Sequence, residues 1–85
     1  MSQVEIYVKM GCPYCIRAVR LLDAKGVDYD IVHVDFGGEK KQQMVQRAKG
    51  RTTVPQIFIG GRHVGGCDDM MLLESRGGLD AMLAG

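Results

Sequence analysis

Two cysteines separated by two residues form the most reactive pattern in this 85-residue sequence, and they lie within residues 11–15. Strand-like sequence precedes this stretch and helical periodicity follows it. Cys12 is therefore predicted at the N-cap of a helix, with Pro13 at the first helical position, where proline is favoured. One helical turn then brings Cys15 close enough to Cys12 for a disulfide. The spacing predicts a redox-active pair of thiols.

The two thiols are expected to have different roles. Free N–H groups and the positive end of the helix dipole stabilise an anion at the N-cap, which favours a thiolate on Cys12. Lys9 before the turn and Arg17 after it add positive charge that favours the same anion. Cys12 is thus predicted as the nucleophile and Cys15 as the resolving thiol. A structural disulfide or half of a zinc site is the alternative interpretation of this spacing.

The composition is ordinary for a globular protein, with 46% hydrophobic and 25% charged residues. The length predicts one domain over residues 1–85. A net charge of +1 gives no overall attraction to nucleic acid or an anionic membrane, and neither is expected as a partner. Three cysteines argue against a secreted disulfide framework, and residues 1–5 lack the regions of a signal peptide. A cytoplasmic location is expected.

The elements around the dithiol follow from hydrophobic periodicity, in the order strand, helix, strand, helix, strand, strand, helix. They are predicted over residues 4–9, 16–25, 28–35, 39–49, 56–59 and 62–65 and from about residue 67, with a last short helical turn after Gly77 and Gly78. The first two strands should be parallel and the last two a hairpin. The predicted fold class is α/β, a mixed four-stranded sheet flanked by helices, with the ligand site beyond the first strand.

Apolar residues at helical spacing predict the inward faces of the first and third helices. They are Ile16, Ala18, Val19, Leu21 and Leu22 in the first helix and Met70, Leu72 and Leu73 in the third. The basic residues near the second helix are predicted to form a solvated face, because no aromatic residues alternate with them. They are Lys40, Lys41, Arg47, Lys49 and Arg51. His33 and His63 have no companions at metal-ligand spacing, so they are interpreted as structural and no metal is expected.

Three segments, taken together, resemble the dithiol glutaredoxins. They are Cys12-Pro13-Tyr14-Cys15, Thr53-Val54-Pro55 and Gly65-Gly66-Cys67-Asp68-Asp69, and their order and spacing match as well. The resemblance covers essentially the whole chain and is greatest to the small bacterial members. It implies a thioredoxin-like fold and a glutathione-dependent oxidoreductase that reduces protein disulfides and glutathione mixed disulfides. Glutathione would serve as reductant and co-substrate.

The resemblance also implies a glutathione site. A cis bond between Val54 and Pro55 would leave the Val54 backbone to pair with the cysteinyl part of glutathione. The start of the third helix would bind the γ-glutamyl end, and Tyr14 would flank the sulfur. The glycyl carboxylate would meet Lys9 and either Gln42 or Lys41. The implied binding residues are Lys9, Tyr14, Gln42, Thr53, Val54, Pro55, Gly66, Cys67 and Asp68, whereas Asp69 is interpreted as a stabilising acid in the first helical turn.

Two other functions remain open. One is a thioredoxin-like reductant that a flavoprotein reductase regenerates, and glutathione alone would not reduce such a protein. The other is an iron–sulfur carrier that holds a cluster between two protomers through Cys12 and glutathione thiols. Pro13 disfavours the carrier, because cluster-binding members of this family usually have a smaller or more flexible interior in the motif. The expected partners are glutathione and disulfide-containing or glutathionylated proteins, and the protein is expected to be a monomer.

Overall fold

The computed structural model describes residues 2–85, so Met1 of the N-terminal segment considered above lies outside the description. The predicted order of elements is confirmed. The elements are β1 (Val4–Val8), α1 (Pro13–Ala24), β2 (Asp30–His33), α2 (Gly38–Arg47), β3 (Gln56–Ile59), β4 (Arg62–Gly65), α3 (Cys67–Ser75) and α4 (Gly78–Ala84). The predicted strand over residues 28–35 is shorter than expected, and the last helical turn is the seven-residue helix α4.

The four strands form one mixed sheet in the order β2-β1-β3-β4. Strand β1 is parallel to β2 and antiparallel to β3, and β3 and β4 form the predicted hairpin. Strand β2 lies at an edge of the sheet. Because β1 and β2 are parallel, their carboxyl ends lie at the same edge, and the chain reaches the dithiol directly from β1.

The sheet has a hydrophobic core on each face, because successive side chains of a strand point to opposite sides. Ile6 belongs to the larger core, which contains residues of α1, α3 and α4. Tyr7 belongs to the smaller core, together with Met44 of α2 and Phe58 of β3. Packing of α1 against the sheet, α3 and α4 in the larger core therefore fixes the position of α1. Cys12 immediately precedes this helix.

Two apolar residues predicted to face inward do not do so. Ile16 in α1 and Leu72 in α3 are each about half exposed, at 48% and 52%. In α1 the fully buried positions are Cys15, Ala18 and Leu22, a stripe at i, i+3 and i+7 that turns Ile16 toward solvent. In α3 the deepest apolar side chain is Met70, and a residue two positions later lies on the far side of a helix.

Arg47 was predicted to lie on a solvated face, and that prediction is wrong. Its guanidinium donates to Glu5 at 2.9 and 3.0 Å and to the Tyr7 hydroxyl at 2.9 Å. It also lies 4.0 Å from the centre of the Phe58 ring, a cation–π distance. These contacts hold α2 on the sheet and raise the pKa of Arg47, first through its hydrogen bond with Glu5.

Within residues 2–85, none of the helices has both the length and the apolar character required to span a bilayer.

Candidate active site

The dithiol lies at the start of α1 in the predicted arrangement. Cys12 is the N-cap residue, with extended backbone angles, and Pro13 is the first residue of the helix. The Cys12 Sγ accepts a hydrogen bond from the Cys15 backbone N–H at 3.3 Å. On its other side the Cys12 thiol donates to the Val54 carbonyl oxygen at 3.9 Å. Both cysteines are free thiols in this structure.

The environments of the three thiols differ. Burial, followed by a hydrogen bond with Cys12, raises the pKa of Cys15 to about 12, and the Cys15 side chain is only 3% exposed. Burial also raises the pKa of Cys67, against the opposing positive charge of Arg17. Cys12 is partly exposed, and its Sγ accepts an N–H from the first turn of the helix. The neutral form is thus favoured at the two buried thiols, and Cys12 is the accessible one.

A cavity of about 140 Å³ lies where α1, the loop before β3 and the start of α3 meet, and Val54, the hydrogen-bond partner of Cys12, lines it. The Val54–Pro55 peptide bond in its wall is cis, as the resemblance implied. Its lining residues are Tyr14, Arg51, Thr53, Val54, Pro55, Gly66, Cys67, Asp68 and Asp69. The structure therefore brings together all the predicted glutathione-binding residues except Lys9 and Gln42.

Lys9 and Gln42 lie elsewhere. Lys9 lines a second cavity on the opposite side of the dithiol turn, in company with Cys15. Gln42 is exposed on α2, and the neighbouring Lys41 is partly buried there. Neither Lys9 nor Gln42 is part of the wall of the first cavity, so a contact with the glycyl end of glutathione remains a prediction for these residues.

A hydrogen-bonded bridge between Arg51 and Asp69 joins two walls of the first cavity. The Asp69 Oδ2 accepts from the backbone N–H of Gly66 at 2.8 Å and from the Arg51 guanidinium at 2.9 Å. These two interactions, the Gly66 N–H first, lower the pKa of Asp69. A side chain at Gly65 would overlap the Asp69 carboxylate, and Gly65 has a φ of +120°. A glycine is therefore required beside this bridge.

Two residues that were predicted to lie outside the site, Arg51 and Asp69, line the cavity and form this bridge. Arg51 was expected on a solvated face, and it lines the cavity instead. Asp69 is in the first turn of α3, as expected, and it also connects the helix to Arg51. An acid at the third helical position after a glycine N-cap was the available sequence signal for Asp69. Nothing local to Arg51 indicated its partner.

A second set of hydrogen bonds supports the loop that carries Thr53. Gln56 is completely buried, and its amide donates to the Thr53 carbonyl at 3.0 Å and to the Thr53 hydroxyl at 3.3 Å. The Gln56 oxygen lies 2.6 Å from His63 Nε2, which therefore carries the proton that it donates. Burial, and then the charges of Arg51 and Lys49, lower the pKa of His63 and keep its ring neutral. His63 is thus structural, as predicted, and Gln56 was missed.

The remaining histidine lies away from the cavity. His33 is exposed on β2, with its Nδ1 3.5 Å from an Asp35 carboxylate oxygen. Across residues 2–85, the side chains of His, Cys, Asp and Glu form no group of three or more with the arrangement of a metal site.

A reduced C-x-x-C pair at the start of a helix, opposite a cis-proline loop and on a mixed four-stranded sheet, defines the class of thioredoxin-fold thiol–disulfide oxidoreductases. Comparison with known proteins gives the family. The glutaredoxin family matches residues 4–64, and the chain belongs to that family. As a glutaredoxin it is a thiol–disulfide oxidoreductase.

Individual relatives are similar to this protein in sequence and in structure over nearly the whole chain. Glutaredoxin 3 of Escherichia coli strain K12 is 53% identical over 83 residues, which cover 98% of this chain and 99% of the relative. The buckwheat glutaredoxin–glutathione complex superposes with a TM-score of 0.87 at 34% identity, covering 98% of this chain and 77% of that one. A glutaredoxin from Brucella melitensis superposes with a TM-score of 0.84 at 48% identity, covering 98% and 89%. The thioredoxin-like α/β fold is thereby confirmed.

Proposed function

We propose that this protein is a glutathione-dependent oxidoreductase that reduces glutathione mixed disulfides and protein disulfides, with Cys12 as nucleophile. One observation carries the proposal. The Cys12 Sγ lies 3.9 Å from the Val54 carbonyl oxygen, in the loop that forms a wall of the first cavity. A peptide disulfide in that cavity would therefore present its sulfur to Cys12. The glutathione complex of the buckwheat relative, which shares this fold, supports the same ligand.

The groups around the cavity fit the chemistry of glutathione. Val54 offers main-chain hydrogen bonds to an extended cysteinyl residue, as in strand addition. The N-terminus of α3 offers N–H groups to the glutamyl carboxylate. Asp69 is engaged by Gly66 and Arg51, whereas Asp68 is exposed and lines the cavity, so Asp68 is the carboxylate proposed to bind the glutamyl ammonium. Lys9 and either Gln42 or Lys41 are proposed for the glycyl carboxylate.

The reaction with a glutathione mixed disulfide is a pair of exchanges. The Cys12 thiolate attacks the glutathione sulfur, a Cys12–glutathione disulfide forms, and the substrate thiolate leaves and takes up a proton. A second glutathione, as thiolate, then attacks the glutathione sulfur on Cys12. Oxidised glutathione forms and the Cys12 thiolate is regenerated. One free glutathione thiol is oxidised for each mixed disulfide reduced, because the other half of the oxidised glutathione comes from the substrate.

Protein disulfides follow a second branch in which Cys15 participates. Attack by Cys12 on such a disulfide gives a mixed disulfide with one substrate cysteine and releases the other as a thiolate. Cys15 then loses its proton and attacks the Cys12 sulfur, which forms the Cys12–Cys15 disulfide and releases the second substrate thiolate. In the reduced protein, burial raises the pKa of Cys15 and favours its neutral thiol, which separates its role from that of Cys12. Two glutathione molecules restore the dithiol.

Cysteine variants test these roles with glutathione as the sole reductant. Cys12→Ser should abolish turnover of a glutathionylated peptide and of a protein disulfide, because the nucleophile is lost. Cys15→Ser should retain most turnover of the glutathionylated peptide and lose most turnover of the protein disulfide. An equal loss in both variants would contradict the role assignment. Wild-type protein that glutathione cannot reduce, and that a flavoprotein reductase can, would contradict glutathione dependence.

Asp68→Asn tests the ammonium contact within the cavity. The variant should raise KM for the glutathionylated peptide about three- to ten-fold with little change in kcat, because one exposed charge pair is lost. The matched control is Asp28→Asn, which removes an exposed carboxylate outside this cavity. Initial rates over a range of peptide concentrations provide both constants. An unchanged KM in Asp68→Asn would remove Asp68 from the proposed site.

We also propose a domain organisation, an oligomeric state and a location for the protein. Residues 1–85 form one catalytic domain that acts as a monomer on protein substrates. The protein acts in the cytoplasm, because a reducing glutathione pool is maintained there to regenerate the dithiol.

A further inference from the structure

A second cavity lies on the other side of the dithiol turn, between the residues that follow β1 and the outer face of α1. Its volume is about 260 Å³, and Cys15 forms part of its floor. Its other lining residues include Lys9, Met10, Ile16, Val19 and Arg20. This α1 groove is separate from the cavity proposed for glutathione and shares no lining residue with it.

Exposed apolar side chains contribute to the α1 groove. Six large apolar side chains are exposed in the described chain, and two of them, Met10 and Ile16, line the groove. Met10 is 83% exposed, and its backbone N–H donates to the Asp35 carboxylate at 2.7 Å. The residue after Asp35, Phe36, is fully exposed. Clustered apolar surface of this kind marks an interaction site.

The charges at the rim of the α1 groove have one sign. Lys9 and Arg20 are the charged lining residues. Because Lys9 is also proposed for the glycyl carboxylate of glutathione, Arg20 is the cation assigned to the polypeptide. Within the described part of the chain, the lining residues include no carboxylate. The Asp35 carboxylate, whose pKa the Met10 N–H lowers, is not among the lining residues. The groove therefore combines an apolar floor with a cationic rim and complements a partner that is apolar and acidic.

We propose that the α1 groove docks the polypeptide half of the substrate disulfide, as an extended segment with an apolar side chain and an acidic residue next to the reacting cysteine. This inference rests on the proposed function. Two chains leave the sulfur pair of a mixed disulfide, and the two cavities lie on opposite sides of the turn that carries Cys12. The first cavity receives glutathione, and the α1 groove receives the polypeptide.

The test uses two synthetic glutathionylated peptides that differ only at the residues flanking the cysteine, with Leu and Glu in one and Ser and Lys in the other. The mixed disulfide of glutathione and 2-mercaptoethanol is the substrate without a polypeptide. Wild-type protein should prefer the Leu–Glu peptide in kcat/KM by about five- to ten-fold. Ile16→Ser and Arg20→Glu should each reduce this preference to about two-fold or less, with turnover of the small mixed disulfide unchanged.

Matched controls distinguish the groove from a general surface effect. Leu72→Ser removes an apolar side chain of similar exposure from another helix, and Arg62→Glu reverses a charge on β4. Both controls should keep the wild-type preference. Wild-type protein without a preference, or unchanged preferences in Ile16→Ser and Arg20→Glu, would overturn the docking proposal. A wild-type dimer that Ile16→Ser converts to a monomer in sedimentation experiments would also overturn it and assign the groove to a second copy.

A different result would contradict the proposed glutathione-dependent activity itself. In that case wild-type protein would not turn over the small mixed disulfide with glutathione, whatever its preference between the two peptides.

Discussion

At the scale of single residues, the site shows how two cysteines three positions apart acquire different chemistry. Cys12 is partly exposed and receives an N–H from the helix that it caps. Cys15 lies inside the larger core, and its burial raises its pKa from the ordinary value of 9.0 to about 12. The difference follows from position on the helix, because the N-cap faces solvent and the next inward position faces the sheet.

This asymmetry predicts the pH dependence of alkylation in the reduced protein. Between pH 7 and 9, iodoacetamide should modify Cys12 alone, because raised pKa values keep Cys15 and Cys67 as neutral, buried thiols. Modification of Cys15 should be much slower than that of Cys12 and should rise with pH, because burial raises the pKa of Cys15 and shields its sulfur from the reagent. Mass spectrometry of proteolytic peptides measures each site. Equal rates at Cys12 and Cys15 near pH 8 would contradict the assigned environments.

At the scale of elements, the first cavity depends on the junction between β4, α3 and the loop before β3. Asp69 connects these parts through the Gly66 N–H and the Arg51 guanidinium. Gln56 and His63 support the same loop from inside, through hydrogen bonds that end at Thr53. The cavity wall is therefore positioned by polar contacts between elements in addition to apolar packing.

Two glycine substitutions test the Asp69 connection. Gly65→Ala should destabilise the protein more than Gly61→Ala, although both glycines have a positive φ and both variants should lose about 1 kcal/mol for that reason. The new methyl group at Gly65 would displace the Asp69 carboxylate, whereas the position at Gly61 is open. Loss of the helix-capping contact should cost Gly65→Ala about 1 kcal/mol more. Urea unfolding measures the difference, and equal losses would contradict the connection.

At the scale of the whole molecule, most of the fold was predictable because its signals are local. Each of these signals depends on a few neighbouring residues. Examples are the alternation of apolar and polar residues in β1, the turn at Gly60 and Gly61, and the start of α1 at Pro13. Ile16 and Leu72 were placed wrongly because a helical period permits several inward faces, and only packing against the sheet selects one.

Much of the cavity wall was predicted through the family resemblance, but its polar supports were not. Arg47 pairs with Glu5 across 42 positions of sequence, so its charge alone gave no sign of this contact. Arg51 and Asp69 are separated by 18 positions, and the sequence showed only a basic residue and a helix-start acid. Long-range pairs of this kind appear only when the strand order and the helix positions are known.

The measurement that tests the central claim most directly is the intact mass of Cys15→Ser after mixing with a glutathionylated peptide in the absence of free glutathione. The proposed mechanism predicts an increase of one glutathionyl group, mapped to Cys12, together with release of the peptide thiol. The reason is that Cys12 attacks the glutathione sulfur held in the first cavity. An unmodified protein, or an adduct that carries the peptide instead of glutathione, would contradict the account.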